Sequence, residues 1–173
     1  IKESIFDADP IALLNCYKYN YQCPKDDVDV LINIGCLTTT VIVYGHKQEF
    51  FTREFSAAGH HVNLEIMNLK NISYTEAEKN KISKGVSILN SNKDSDSDTN
   101  SIQISQRNIF SELSDEIRKT LRYYMKSKTG ISYNKFYISG GMSNMNGLTD
   151  FLNTSLNVDF ISLDPFTKIK TPE

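Results

Sequence analysis

The sequence predicts an α/β fold with a mixed five-stranded sheet, helices on both faces of the sheet and a small inserted lobe. Three consecutive strand-like runs between residues 28 and 55 indicate an antiparallel meander. Two further runs, at 135–139 and 158–162, are separated by a helical pattern, which indicates a parallel βαβ unit. Together these observations predict the strand order 3-2-1-4-5, with helices at 59–69, 106–128 and 147–157 packed on the sheet.

Composition narrows the classes of function. The 173 residues are 39% hydrophobic and 23% charged, which is ordinary for a globular domain. The net charge of −2 gives no electrostatic case for binding nucleic acid or an anionic membrane. No apolar run approaches the roughly 20 residues that span a bilayer. The chain begins at Ile1 rather than Met, so we expect it to be part of a longer protein.

The cysteines and the first helix come at the start of the chain. Cys16, Cys23 and Cys36 fit no common zinc spacing, which favours reduced thiols over a disulfide or a metal site. Asp9-Pro10 is typical of a helix start, with Asp as the N-cap and Pro in the first turn. A polar linker at 23–27 then leads into the first strand.

The three strands of the meander are predicted at Val28–Ile34, Thr39–Tyr44 and Gln48–Phe55. The first two are rich in β-branched residues, and the third carries three phenylalanines. Gly45-His46 closes the hairpin between the second and third strands. Short connections between all three strands favour antiparallel neighbours.

Two helices and a polar segment follow the meander. The first is predicted at His60–Leu69, and the second begins at a capping box formed by Ser73 and Glu76 and stops at Gly85. Residues 90–101 contain no apolar residue, so they cannot bury surface to offset the cost of ordering. We therefore predict a disordered loop there.

The last part of the chain reads as helix, strand, helix, strand. Residues 106–128 carry an apolar stripe at helical spacing, and Gly130 is a good residue to end that helix. The strand at 135–139 runs into Gly140-Gly141, and Asn146 is predicted to cap the next helix. A meander followed by parallel strands wound by helices is the ribonuclease H-like pattern, which is also the pattern of the second core subdomain of actin-like ATPases.

Four segments carry a more specific pattern. Residues 7–13 hold an aspartate followed by an Ala-Leu helix, and residues 33–40 (Asn-Ile-Gly-Cys-Leu-Thr-Thr-Thr) form a strand, a glycine and a run of hydroxyl residues. Residues 74–81 contain Ala-Glu-x-x-Lys, and residues 138–148 run from Ile-Ser-Gly-Gly-Met to Gly-Leu. In this order they resemble the PilM family of actin-like type IV pilus assembly proteins: the segment that closes its first domain, its second phosphate motif, its Ala-Glu-x-x-Lys helix and its adenosine motif.

The resemblance implies a domain organisation. Residues 1–27 would be a hinge strand, helix and linker from the end of a first domain. Residues 28–70 and 106–173 would form the actin-like core subdomain, and 71–105 a smaller inserted lobe containing the loop at 90–101. ATP with Mg²⁺ would lie between this domain and a first domain that the chain lacks.

The resemblance also implies which residues bind the cofactor. Glycines permit close approach of backbone N–H groups to phosphates or to a flat base, and hydroxyl side chains add donors. Each motif also has a structural alternative: a plain hairpin, a strand-to-helix turn, or an exposed ion pair on a helix. No catalytic residue and no metal ligand is predicted. The predicted cofactor-binding residues are Asn33, Gly35, Thr38, Thr39, Glu78, Lys81, Gly140, Gly141 and Met142.

Asn33 departs from the family, which has a magnesium-holding aspartate at this position. An asparagine can accept a hydrogen bond but offers no charge to a hard cation. We therefore expect at most weak ATPase activity in the full-length protein and none in this chain alone.

The function implied is a cytoplasmic nucleotide-binding scaffold of type IV pilus assembly, peripheral to the inner membrane through its partners. Those partners would be PilN, bound through the absent first domain, and other pilus assembly proteins, with no nucleic acid and no direct membrane insertion. Two alternatives remain open at this point: a non-catalytic module like the actin-like domain of the secretion protein GspL, and an FtsA-like cell-division protein.

Overall fold

The computed structural model describes residues 7–89 and 108–169, which form five helices and a five-stranded sheet. Two 3₁₀ turns are also present: Gly85–Leu89 directly follows the third helix, and Gly141–Asn144 lies between the fourth strand and the fifth helix. The strands are β1 (Val28–Ile34), β2 (Thr39–Tyr44), β3 (Phe51–Phe55), β4 (Tyr133–Ser139) and β5 (Phe160–Ser162). The helices are α1 (Asp9–Asn20), α2 (Gly59–Lys70), α3 (Tyr74–Lys84), α4 (Ile109–Ser127) and α5 (Leu148–Leu156).

The strand order is β3-β2-β1-β4-β5, which confirms the predicted order. β1 is antiparallel to β2 and parallel to β4, so the predicted parallel pairing across the centre of the sheet is also confirmed. Asn33 lies opposite Thr40 on one side and Ser139 on the other. The carboxyl ends of β1 and β4 therefore meet at one edge of the sheet, where α/β folds commonly bind ligands.

The central strand is buried on both faces. Val30 and Ile32 belong to the main core, which is completed by α2, α4 and α5. Leu31 faces the other way and packs with Leu14 and Tyr17 of α1. Since neither face of β1 meets solvent, its sequence is almost continuously apolar instead of alternating.

A buried carboxylate anchors α1 to the sheet. Asp29 is only 1% exposed, and it accepts hydrogen bonds from the Tyr17 hydroxyl, from Asn134 Nδ2 at 2.8 Å and from the Lys135 backbone N–H at 3.1 Å. Burial and then the bond to Asp29 raise the pKa of the Tyr17 phenol well above its ordinary value. The network ties α1, β1 and the start of β4 together on the face opposite the main core.

The apolar stripe predicted for the long helix α4 is present, and the side chains at all five of its positions are buried. Asn108 caps its start by accepting from the Ser111 N–H at 2.9 Å. Residues 106 and 107, where the helix was predicted to begin, and the loop predicted at 90–101 lie outside the described residues. The buried stripe consists of Phe110, Leu113, Ile117, Leu121 and Tyr124.

Several element boundaries differ from the predicted ones. The cap of α1 is Ala8, while Asp9 occupies the first helical turn. β3 begins at Phe51 because the N–H of Gln48 bonds to the Gly45 carbonyl and completes a turn. α5 starts after Gly147 instead of being capped by Asn146.

Candidate functional site

A groove of about 440 Å³ opens where the β1–β2 turn, α3 and the turn after β4 meet. Its size is within the range of roughly 300–1,000 Å³ that small-molecule sites occupy. Residues from three of the sequence motifs converge on it, although they are far apart along the chain. The lining residues are Gly35, Cys36, Glu78, Lys81, Ile82, Gly141, Met142, Asn144 and Met145.

The structure brings five of the predicted residues to this groove and places four beside it. Gly35, Glu78, Lys81, Gly141 and Met142 line the groove. The other four, which are Asn33, Thr38, Thr39 and Gly140, lie around the ends of β1, β2 and β4 without lining it.

The β1–β2 turn is braced by its own hydrogen bonds. The Gly35 N–H donates to the Thr38 carbonyl at 3.0 Å. The Gly35 carbonyl accepts from the Gly59 N–H at 3.1 Å, and the Cys36 carbonyl accepts from the His60 N–H at 2.7 Å. The Gly35 amide of the turn and the first two amides of α2 are therefore already engaged within the protein.

Thr39 is fully buried, and its hydroxyl donates to the Ala57 carbonyl at 2.6 Å. This bond holds the start of β2 against the segment that enters α2. The half-buried Thr38 contributes its carbonyl to the turn described above. The hydroxyl of Thr39 thus has a structural partner of its own.

The wall formed by α3 carries an ion pair. Lys81 Nζ lies 2.7 Å from a Glu78 carboxylate oxygen, and the Lys81 side chain is only 10% exposed. Asn63 on α2 also donates to Glu78. Burial alone would raise the pKa of the Glu78 carboxyl, but the bonds from Lys81 and Asn63 hold that pKa below its ordinary value. The pair lines the groove, with the Lys81 side chain buried and that of Glu78 40% exposed.

The turn after β4 needs a glycine at one position and leaves the next one open. Gly140 has φ of +90°, and a Cβ there would lie 2.4 Å from the Ile34 carbonyl oxygen and 2.5 Å from Asn33 Oδ1. Gly141 would place a Cβ with nothing within 4 Å. Asn33 Oδ1 also accepts from the Ser139 hydroxyl at 3.3 Å, so Asn33 packs behind the turn.

The remaining lining is largely apolar. Met142 and Met145 are buried, while Ile82 is 65% exposed at the rim. Together they offer polarizable apolar surface to a flat ring. Sequence reasoning missed Cys36, Ile82, Asn144 and Met145, because a 3₁₀ turn has no apolar periodicity and Ile82 is distinguished only by following Lys81.

Within residues 7–89 and 108–169, no group of three or more His, Cys, Asp or Glu side chains is placed to hold a metal ion. In the same part of the chain, no helix combines the length and the apolar character needed to cross a bilayer.

Comparison with known proteins identifies a family and a fold. The model of the family described as "Type IV pilus assembly protein PilM" matches residues 1–173. A structure of the PilM–PilN type IV pilus biogenesis complex matches at 22% identity with a TM-score of 0.74, covering 94% of this chain and 43% of that chain. The sequence search finds no match among curated proteins.

Two further solved structures have the same fold. The ethanolamine utilization protein EutJ from Carboxydothermus hydrogenoformans is 17% identical, with a TM-score of 0.63 and coverage of 91% of this chain and 50% of that chain. MreB 5 of Spiroplasma citri bound to AMPPNP is 16% identical, with a TM-score of 0.61 and coverage of 89% and 52%. The chain thus spans about half the length of the structures it resembles, and they establish its actin-like fold.

Proposed function

Since the chain belongs to the PilM family of type IV pilus assembly proteins, we propose that it contributes to pilus assembly as part of a nucleotide-binding scaffold. The observation that supports this most directly is the groove, where Gly35, Glu78, Lys81, Gly141 and Met142 converge from separate motifs. A structural neighbour, MreB 5, was solved with AMPPNP, an adenine nucleotide analogue. The family match favours pilus assembly over the secretion and cell-division alternatives.

The groove suits the nucleoside end of such a ligand. Met142, Met145 and Ile82 provide apolar contact area for a purine ring. The charged Glu78 carboxylate is an acceptor for ribose hydroxyls, and Lys81 is a donor beside it. In this proposal Lys81 and Asn63 keep Glu78 ionised and oriented toward the groove.

Several donors that could contact the phosphates of the ligand are already engaged within the protein. The amides of Gly35, Gly59 and His60 bond to backbone carbonyls, and the Thr39 hydroxyl bonds to Ala57. We propose that most phosphate contacts come from a first domain beyond this chain, with residues 1–27 as the connection and 71–105 as an inserted lobe. That first domain would also bind PilN and so hold the protein at the cytoplasmic side of the inner membrane.

Within the described part of the chain, the position of Asn33 does not suit a directly bound magnesium ion. Asn33 is neutral, and its Oδ1 already accepts from Ser139. A hard cation prefers several oxygen ligands that include carboxylates. We propose that the protein binds nucleotide without brisk hydrolysis, so that its bound state rather than turnover is what partners detect.

The proposal is tested by blocking the groove. Ile82→Glu places a carboxylate at the rim, on a side chain exposed enough for the fold to tolerate the change. We expect adenosine affinity, measured by isothermal calorimetry, to fall at least about tenfold because a charged group would have to be desolvated. Leu69→Glu, at another exposed apolar position, on α2, is the control and should change the affinity less than about twofold. Equal affinities in both variants would place the nucleoside elsewhere.

A further inference from the structure

The strand β3 is an open edge of the sheet. It pairs with β2 on one side, with Val41 opposite Arg53 and Val43 opposite Phe51. On its other side, no strand among the described residues pairs with it. An edge strand presents outward-pointing N–H and C=O groups that can pair with another extended chain. In the five residues of β3, alternate residues therefore point their backbone hydrogen-bonding groups toward the open edge.

A groove of about 450 Å³ lies between this edge and α4. Phe51 forms part of the lining, with its ring centroid 6.1 Å from that of Tyr123. Tyr123 is 65% exposed, so much of its ring is accessible beside Phe51. The remaining lining residues are Thr52, Arg53 and Lys119, so apolar contact area and positive charge lie side by side.

The charge around the groove is positive on a chain that is negative overall. Lys119, Arg122 and Lys126 are exposed and share a face of α4 with Tyr123, because they are three and four residues apart. Arg53 and Lys119 share a single carboxylate, Glu116, at 2.8 and 2.6 Å. Within residues 7–89 and 108–169, neither Arg122 nor Lys126 forms an ion pair. The whole chain, in contrast, carries a net charge of −2.

We propose that β3 accepts an extended acidic segment of a partner protein as an added strand of the sheet. Phe51 and Arg53 both face α4, and they are two residues apart as side chains on one face of a strand must be. An added strand would place its own same-face residues beside them at the same spacing. The fitting segment therefore has an apolar or aromatic residue beside Phe51 and Tyr123, and a carboxylate two residues away beside Arg53 and Lys119.

Backbone pairing distinguishes this partner from an anionic membrane surface. A lipid headgroup could neutralise the cations of α4, but it would leave the outward backbone groups of β3 without partners. Strand addition satisfies both features, since main-chain hydrogen bonds provide affinity and side-chain spacing provides specificity. The β3 edge and the proposed nucleotide groove are lined by different residues. Binding of a partner at this edge therefore does not depend on nucleotide binding.

The test uses a fluorescent octapeptide that alternates Thr with Phe and Asp, so that Phe and Asp are two residues apart. We expect binding to the purified chain with a Kd on the order of 10–100 μM, together with slower hydrogen exchange at residues 51–55. A peptide of the same sequence with alternate amides N-methylated lacks the strand donors and should bind at least about tenfold more weakly. A peptide with Lys in place of Asp should also lose binding.

Variants of the protein locate the site. Lys119→Glu and Tyr123→Ser should each weaken peptide binding about tenfold or more, since they remove the cation and the aromatic wall. Lys70→Glu makes the same charge change at an exposed position on α2 and should change binding less than about twofold. Far-ultraviolet circular dichroism of each variant verifies that the fold is retained.

Four results would overturn the proposal. One is no binding of the alternating peptide, and another is equal binding of its N-methylated form, which would reduce the effect to charge alone. A third is that the chain binds phosphatidylglycerol vesicles but not the peptide, and that Lys119→Glu abolishes the vesicle binding. The fourth is a dimer in sedimentation that dissociates in the Tyr123→Ser variant but not on addition of the peptide. In that case a second copy of the chain would cover the edge.

Discussion

At the scale of single residues, the two glycines after β4 differ in what a side chain would meet. Gly140→Ala would force a Cβ into the Ile34 carbonyl at a φ of +90°, so we expect a loss of stability of about 2–4 kcal/mol. Gly141→Ala has open space and a tolerant backbone, and we expect a change within about 0.5 kcal/mol. Urea unfolding of both variants checks the contrast, and similar losses for the two would contradict it.

Asp29 provides a second test at this scale. Three donors bond to the two carboxylate oxygens of Asp29 in a buried site. Asp29→Asn replaces one of those oxygens with an NH₂ group, which cannot accept, so we expect the free energy of unfolding to fall by about 2–3 kcal/mol. The control is Asp26→Asn, because the Asp26 side chain is 79% exposed and, among the described residues, forms an ion pair only with Lys47. Its loss should stay below about 1 kcal/mol in the same denaturation experiment. If the two asparagine variants are equally stable, the buried network contributes nothing beyond packing.

Residue roles could be predicted from the sequence only where the cause is local. A glycine pair directly after a strand predicts that one member needs positive φ, and Gly140 does. The bond from the Thr39 hydroxyl to the Ala57 carbonyl depends on where a later segment returns to the sheet, and the motif containing Thr39 carries no sign of it. The motif could therefore place Thr39 near the groove but could not show that its hydroxyl is already engaged.

At the scale of elements, the capping box of α3 makes a prediction about stability and pH. Ser73 accepts from the Glu76 N–H, and the Glu76 carboxylate accepts from the Ser73 N–H at 3.0 Å. Ser73→Ala should cost about 1 kcal/mol at neutral pH. Ser83→Ala, which removes an exposed hydroxyl near the end of the same helix, is the control and should cost less than half of that.

The pH dependence follows from the sign of the pKa shift. Hydrogen bonds from Ser73 lower the pKa of the Glu76 carboxyl below its ordinary value of 4.5. The contribution of those bonds is therefore fully present above pH 4.5 and is lost as the pH falls through the lowered value. The stability difference between the wild type and Ser73→Ala should shrink in acid, and a difference that grows in acid would contradict this assignment.

Element types could be predicted well, and their ends less well. The stripe of α4 and the capping box of α3 are set by neighbours on the same helix, and both are present as predicted. The start of α5 is different, because the Asn146 carbonyl accepts from the Val86 N–H, in a turn that follows α3. A contact between segments 60 residues apart in the chain leaves no signal in either segment alone.

At the scale of the whole molecule, the proposed site would surround a nucleoside, while the amides of Gly35, Gly59 and His60 and the hydroxyl of Thr39 are engaged within the protein. We therefore expect this chain to bind adenosine and ATP with affinities within about threefold of each other, which is less than 1 kcal/mol apart. Calorimetric titration of the two ligands measures this ratio. An ATP affinity a hundredfold higher than that for adenosine would show that this chain holds the phosphates by itself.

The strand order also determines how the protein must fold. β1 meets β2 across a short turn, but it meets β4 only after a long stretch of chain that includes α2, α3 and α4. Closing a loop that long costs more entropy than closing a hairpin, and the cost is met before the new contacts form. The meander should therefore organise early, and the β1–β4 seam should be the slow step on the folding pathway. Pulse-labelled hydrogen exchange during refolding should show amides of β2 protected before those of β4, and simultaneous protection would mean that the two halves fold as one unit.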